Sequence, residues 1–269
     1  LLIAILEDRR VEAADVERGP HFFCPNCKTA VILKKGRIKL AHFAHKPPTT
    51  CTWASGETQA HMAAKRIIRD GLIARGLTAE LEVPVLSSGG DRRADVLAAS
   101  PNGAKRVAIE IQHQPLSFDQ IETRTRAYMD ANVPVVWVAL LNKNIWEAAE
   151  ADGATWKIPR FSIRPWQRWA HTYGIGELWF VDVDTGLLWR GVLTASLIHV
   201  EYSSWYDSYG NEESAGGYNK VSRKWRTLTL EGPYAPASVL LSASEGQAWS
   251  GKNYDIPAGV RARLVVPPV

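Results

Sequence analysis

The sequence predicts an α/β protein: a nucleus of alternating helices and strands, preceded by a small cysteine-bearing β-module and followed by a β-rich extension. Three observations carry this expectation. Residues 54–145 alternate in the order helix, strand, strand, helix, strand. All three cysteines crowd into residues 1–53, among short β-like runs. Most of the eleven tryptophans lie beyond residue 144, where strand-like stretches outnumber convincing helices. The chain accordingly divides into a β-module at 1–53, an α/β domain at 54–150 and a Trp-rich, mainly β region at 151–269.

Composition narrows the class. The chain has 269 residues, 46% hydrophobic and 22% charged, which suits a globular protein long enough for more than one unit. Its net charge of +4 permits a nucleic-acid partner without demanding one. No run approaches the roughly 20 apolar residues of a membrane span. The opening run Leu1 to Leu6 is broken by Glu7, Asp8, Arg9 and Arg10, so it is too short for a signal-peptide core, with its charges on the wrong side. Three cysteines make no disulfide framework, so a reducing cytoplasm and a metal site are expected.

In the front module, the thiolates of Cys24-Pro25-Asn26-Cys27 can reach one Zn²⁺ across a tight turn. His42, His45 and Cys51 compete for the two remaining positions. In an extended strand His42 and His45 point opposite ways, because their separation is odd. Lys46-Pro47-Pro48 marks a turn just past His45. The favoured set is therefore Cys24, Cys27, His45 and Cys51, with a Cys₂His₂ set using His42 as the alternative. Such a closed site is structural: it folds a unit too small to bury much core.

The first helix is expected over residues 57–75, with Ser55 as N-cap and Gly76 as terminator. Ala60, Ala63, Ala64, Ile67, Ile68 and Leu72 define its buried stripe, and Glu57, His61 and Lys65 form a second row beside it. That row could also be a set of solvated surface pairs. Next comes a hairpin. Arg93-Ala94-Asp95-Val96 and Ala108-Ile109-Glu110-Ile111-Gln112 flank the turn Ser100-Pro101-Asn102-Gly103. On the second strand Ala108, Glu110, Gln112 and Gln114 share one face, and Val107, Ile109 and Ile111 take the other. Two carboxylates and an amide on apolar strands are costly unless a cation sits among them. A hard divalent ion, Mg²⁺ or Mn²⁺, is the natural candidate, and the constellation suggests metal-assisted phosphodiester cleavage. The competing reading is a strand whose polar face meets water.

Ser117-Phe118-Asp119-Gln120 is a capping-box start for the second helix, on which Gln120, Arg124 and Tyr128 align. The apolar run at 134–141 suits an interior strand, which completes a βαβ crossover. Residues 208–217 read as a loop. Most of the later tryptophans read as core. Arg164-Pro165-Trp166-Gln167-Arg168-Trp169 and Ser222-Arg223-Lys224-Trp225-Arg226 are candidate stacking platforms for unpaired bases. The Asp182 to Gly186 stretch reads as a hairpin turn.

Taken in order, Cys24-Pro-Asn-Cys27, Gly36, His42-Phe-Ala-His45, Glu57…His61…Lys65, Arg92-Arg93-Ala94-Asp95-Val96, Ile109-Glu110-Ile111-Gln112 and Arg124…Tyr128 resemble the competence protein CoiA-like nucleases, over residues 15–141. The resemblance implies a PD-(D/E)xK restriction-endonuclease-like core, a mixed sheet flanked by helices with the active site on adjoining central strands. By position it implies that Asp95 and Glu110 hold Mg²⁺ with the backbone carbonyl of Ile111, and that Glu57 is the acidic residue of the preceding helix. Gln112 stands where this fold usually carries Lys. An amide orients a water or phosphate oxygen but brings no positive charge. Lys65 and Arg124 are the candidates to supply it, with His61, Arg93 and Tyr128 as phosphate contacts.

The expectation is a cytoplasmic, Mg²⁺-dependent nuclease acting on DNA, or on RNA, in competence and recombination or in mobile-element and defence processes. Recombination or defence proteins are possible further partners. Two alternatives have different consequences: a weak or inactive nucleic-acid-binding module, favoured by Gln112, and a zinc-dependent protein-interaction scaffold.

Overall fold

The computed structural model describes residues 1–54 and 57–267. Five short strands build a front sheet: β1 (Ile3–Leu6), β2 (Arg9–Glu12), β3 (Phe22–Phe23), β4 (Ala30–Lys34) and β5 (His42–His45). They lie in the order β2-β1-β3-β4-β5. Phe22, Val31, Leu33 and Phe43 form its small core with Cys24.

The first helix, α1 (Gln59–Ala74), starts later than the apolar pattern implies. Thr58 is its N-cap and accepts the His61 amide, while Ser55 lies outside the described residues. Gly76 follows the C-cap at φ +82, the left-handed conformation that ends helices cheaply with glycine. Then come β6 (Thr78–Val85), β7 (Arg92–Ala99), β8 (Arg106–Gln112), α2 (Phe118–Asp130) and β9 (Val135–Leu141). Both capping-box bonds of Ser117 and Gln120 are present at the start of α2. The hairpin β7–β8 is antiparallel and β8–β9 is parallel, so α2 is the expected crossover.

The chain continues through α3 (Lys143–Glu147), β10 (Glu150–Asp152), β11 (Thr155–Ser162), α4 (Pro165–Tyr173), β12 (Leu178–Asp182) and β13 (Leu187–Val200). After the hairpin β14 (Ser203–Tyr206) and β15 (Glu212–Ala215) comes the long β16 (Tyr218–Tyr234). Nine strands form one sheet in the order β10-β11-β16-β13-β12-β9-β8-β7-β6. Because β12 pairs in parallel with β9, the division expected at 150 falls inside this sheet. The segments β17 (Leu240–Gly246), β18 (Trp249–Ser250), β19 (Asp255–Ile256) and β20 (Gly259–Val265) pair among themselves.

Two apolar layers cover the sheet. On one, Met62, Ala64, Ile68 and Leu72 of α1 pack with Val96, Ile109, Ile111 and Val138. On the other, Ile121 and Tyr128 of α2 pack with Ala94, Ala108, Val135 and Trp137. The buried face of α1 is rotated from the expected stripe: His61 and Lys65 are buried, whereas Ala60, Ala63 and Ile67 are only partly so. The solvated-row alternative for Lys65 is thereby excluded, since it is 0% exposed.

Two other local readings are corrected. Residues 164–169 present no exposed tryptophan face on which bases could stack, because Trp166 and Trp169 are buried on α4, the first turn of which accommodates Pro165. The loop at 208–217 contains strand β15. The turn after β12 is as expected: Asp182 Oδ1 accepts the Asp184 amide at 3.0 Å and Gly186 follows at φ +73.

Candidate functional site

The turn Cys24-Pro25-Asn26-Cys27 is tied by the Cys24 amide to the Thr29 carbonyl (2.8 Å) and the Lys28 amide to the Cys24 carbonyl (3.0 Å). It presents two sulfurs toward β5, where His45 ends the strand, and toward Cys51. The ligand atoms of Cys24, Cys27, His45 and Cys51 lie within 4.8 Å of one another. Cys24 Sγ is 3.9 Å from Cys51 Sγ, and Cys27 Sγ is 3.4 Å from His45 Nε2. A tetrahedral ion with bonds of about 2.3 Å to sulfur and about 2.0 Å to nitrogen spans edges of roughly 3.5–3.8 Å. The donor set therefore fits a closed, four-coordinate soft-metal site. Burial raises the Cys24 thiol to about 11. Burial also acts on Cys27, but hydrogen bonds with Thr29 and His45 bring that thiol down to about 6, toward the thiolate a metal needs. His42 points away from the cluster, with Nδ1 2.8 Å from the Leu40 carbonyl, so the Cys₂His₂ alternative is not formed.

The second cluster lies where β7 and β8 part. Their ladder runs from Ala99↔Arg106 to Val96↔Ile109 and goes no further. One step beyond, Asp95 and Glu110 would face each other. Instead Asp95 Oδ2 accepts the Ile111 amide at 2.9 Å and His61 Nε2 at 3.1 Å, so a carboxylate takes the N–H that the ladder releases. Asp95 Oδ1 is 3.9 Å from Lys65 Nζ. Glu110 turns to the other helix, accepting the Tyr128 hydroxyl at 2.5 Å, with Arg124 at 3.9 Å from its second oxygen. Both carboxylates are buried, at 6% and 5% exposure.

The charges divide the pair. Burial raises Asp95, but the neighbouring His61 and Lys65 charges and the Ile111 amide hold its carboxyl below the usual range. Burial and the Asp95 charge push Glu110 up, against Arg124 and Tyr128. Desolvation lowers His61, yet the Asp95 and Glu57 carboxylates outweigh it and raise the imidazole to about 9. His61 is thus an imidazolium at neutral pH, 3.6 Å from Glu57 and directly bonded to Asp95. Glu57, His61 and Asp95 form the second group with ligand atoms within 4.8 Å; Glu110 lies outside that group.

The remaining expected residues have definite partners. Gln112 Oε1 accepts Arg124 at 3.2 Å, and its amide donates to the Gln114 carbonyl at 2.6 Å. Arg124 thus touches Gln112 and approaches Glu110, while lying 5.8 Å from the Trp137 ring centre. Arg93 is 3.6 Å from Glu57 and 4.7 Å from the Trp53 ring centre. Lys65 pairs with Glu57 and, at 2.6 Å, with Glu82. Ile111 remains in the parallel ladder, opposite Val138.

Glu82 is the residue that the sequence pattern hides. In Thr78-Ala79-Glu80-Leu81-Glu82-Val83 it alternates with apolar neighbours and reads as solvent-facing. Its φ of 54 breaks the alternation and Glu82 is 0% exposed. Its carboxylate binds Lys65 and accepts the amides of Leu2 (2.9 Å) and Ile3 (3.3 Å), which ties the front sheet to the acidic site.

These features define an α/β domain with a buried acidic site, coupled to a small Cys₃His module. Residues 6–54 match the N-terminal domain of competence protein CoiA, and residues 57–163 match its nuclease-like domain. The chain belongs to the competence protein CoiA family. No curated protein and no solved structure matches it. Among the described residues, no helix is long and apolar enough to cross a membrane.

Proposed function

We propose that this chain is a metal-dependent nuclease that hydrolyses phosphodiester bonds of DNA, or of RNA, on a PD-(D/E)xK-like core. The observation that carries the reading is the opening of the β7–β8 ladder at Asp95 and Glu110, two buried carboxylates that leave Oδ1 and Oε2 facing cations only at 3.9 Å. An all-oxygen, buried, doubly acidic donor set suits Mg²⁺ or Mn²⁺. Asp95 and Glu110 would hold it, with the Ile111 carbonyl alongside, and the ion would supply a polarised phosphoryl oxygen and an acidified water. His61, between Asp95 and Glu57, would orient the Asp95 carboxylate. Gln112, fixed by Arg124, would orient the attacking water. Arg124 brings the positive charge that Gln112 lacks, whereas Lys65 is spent on Glu82 and Glu57.

In the same reading the Cys₃His cluster holds structural Zn²⁺, and residues 1–53 and 151–269 flank and position a bound strand. The setting is a cytoplasmic competence, recombination or defence process with protein partners from that process. A second reading, a binding module with little hydrolysis, is favoured by the burial of Lys65, which keeps it from replacing the missing lysine. Plasmid, single-stranded DNA and RNA, each incubated with Mg²⁺, Mn²⁺ or EDTA, separate the two. Cleavage that EDTA and Asp95→Asn or Glu110→Gln abolish supports the enzyme. Binding without cleavage in any condition supports the module.

A further inference from the structure

A cavity of about 360 Å³ adjoins the acidic site at the carboxyl ends of the parallel strands β8 and β9. Gln112, which accepts a hydrogen bond from Arg124 beside Glu110, contributes to its wall. Its lining combines apolar and cationic side chains: Leu140, Ile158 and Trp166 with Arg160 and Arg164. Ile158 and Trp166 are buried, whereas both arginines are exposed. Arg164 also donates to the His113 carbonyl at 2.9 Å, which holds the start of α4 against the end of β8. The indole N–H of Trp166 is buried with no acceptor among the described residues.

Crevices at the carboxyl ends of parallel strands are where open α/β sheets take ligands. The volume lies at the small end of the range for small-molecule sites, suited to one flat ring system and not to a double helix. An apolar wall with exposed guanidinium groups beside it matches a nucleobase carried on a phosphate backbone.

We propose that this cavity is a subsite for the base of a nucleotide that flanks the scissile phosphate, so that the site takes a strand unpaired at that point. The inference rests on the nuclease reading and deepens it by choosing unpaired over duplex substrate. A base in a duplex would first have to leave its stack and its partner, and nothing in the geometry repays that for every base pair passing the site.

The test uses the full chain in EDTA, so that binding is read without cleavage. The probes are fluorescein-labelled oligothymidylate, oligouridylate and a duplex of equal length. Both single strands, or one of them, should bind about tenfold or more tighter than duplex, and the comparison between them separates DNA from RNA. Ala148→Leu, which fills the cavity from the C-cap of α3, and Arg160→Ala, which removes a rim charge, should each weaken single-strand binding several-fold and leave duplex binding unchanged. Equal binding of single strands and duplex, or single-strand binding untouched by both substitutions in folded protein, overturns the proposal. Cleavage of the same oligonucleotides in Mg²⁺, compared with Asp95→Asn, is scored separately. Absence of cleavage with cavity-dependent binding removes the nuclease reading alone. Cleavage with cavity-independent binding removes the subsite alone.

Discussion

Lys65 on α1 and Glu82 on β6 form an ion pair of 2.6 Å in which both side chains are 0% exposed. An isolated buried charge is costly, so the pair persists only because Glu57 also binds Lys65 and the Leu2 and Ile3 amides fill the other lone pairs of Glu82. The pair therefore cements three elements behind the acidic site, and its contribution is structural positioning.

Breaking this pair should be worse than replacing it. Glu82→Ala leaves a buried lysine charge and two released amides, and should cost about 3–5 kcal/mol in urea unfolding. The double change Lys65→Met with Glu82→Leu should recover only the part due to the stranded lysine charge, because the Leu2 and Ile3 amides stay unpaired. A single Glu82→Ala as stable as wild type would refute the role assigned to the pair.

The front module should depend on its metal. Purified protein should carry one tightly bound zinc per chain, and Cys24→Ser or Cys51→Ser should remove it, with a lower thermal midpoint. His42→Ala should retain the metal, because His42 lies outside the cluster and contacts the Leu40 carbonyl. Metal analysis by mass spectrometry decides both points.

Much of this arrangement is legible in local patterns. The Cys-Pro-Asn-Cys turn, the parity of His42 and His45, the capping box at Ser117 and the βαβ step each follow from short-range chemistry and hold in the structure. Long-range facts were not legible. The amphipathic count on α1 placed Lys65 outside the core, because no local rule reveals that Glu82 waits beneath it. The φ of Glu82 reverses its apparent face, and that reversal depends on the Leu2 and Ile3 amides some eighty residues away in the chain. The Arg164 to Trp169 stretch misled for the opposite reason. Its interleaved basic and aromatic residues are the two faces of a helix, charged outside and buried within.

In the proposed nuclease, Arg124 should matter to hydrolysis more than Lys65 does. It is the cation that contacts Gln112 and approaches Glu110, and its side chain is 35% exposed. Arg124→Ala should lower kcat by about 10²-fold with little change in urea stability. Adding Gln112→Lys to that variant should restore part of the loss, because it returns a positive charge beside Glu110. Unchanged kcat in Arg124→Ala places the missing charge elsewhere.

His171 on α4 provides a pH signature away from the acidic site. Its Nε2 accepts the Leu193 amide at 3.2 Å, which requires a neutral ring, and burial holds its pKa below the ordinary 6.5. The folded state therefore binds fewer protons here than the unfolded chain between the depressed value and 6.5. Stability from this group is fully present above about 6.5 and is lost as pH falls through the folded pKa. The slope is bounded by one proton, about 1.4 kcal/mol per pH unit. His171→Gln, which keeps an acceptor and cannot titrate, should flatten the difference. Urea midpoints for the two proteins should converge at low pH and separate in favour of wild type above about 6.5. Parallel curves across that window would show that protonation of His171 does not oppose folding.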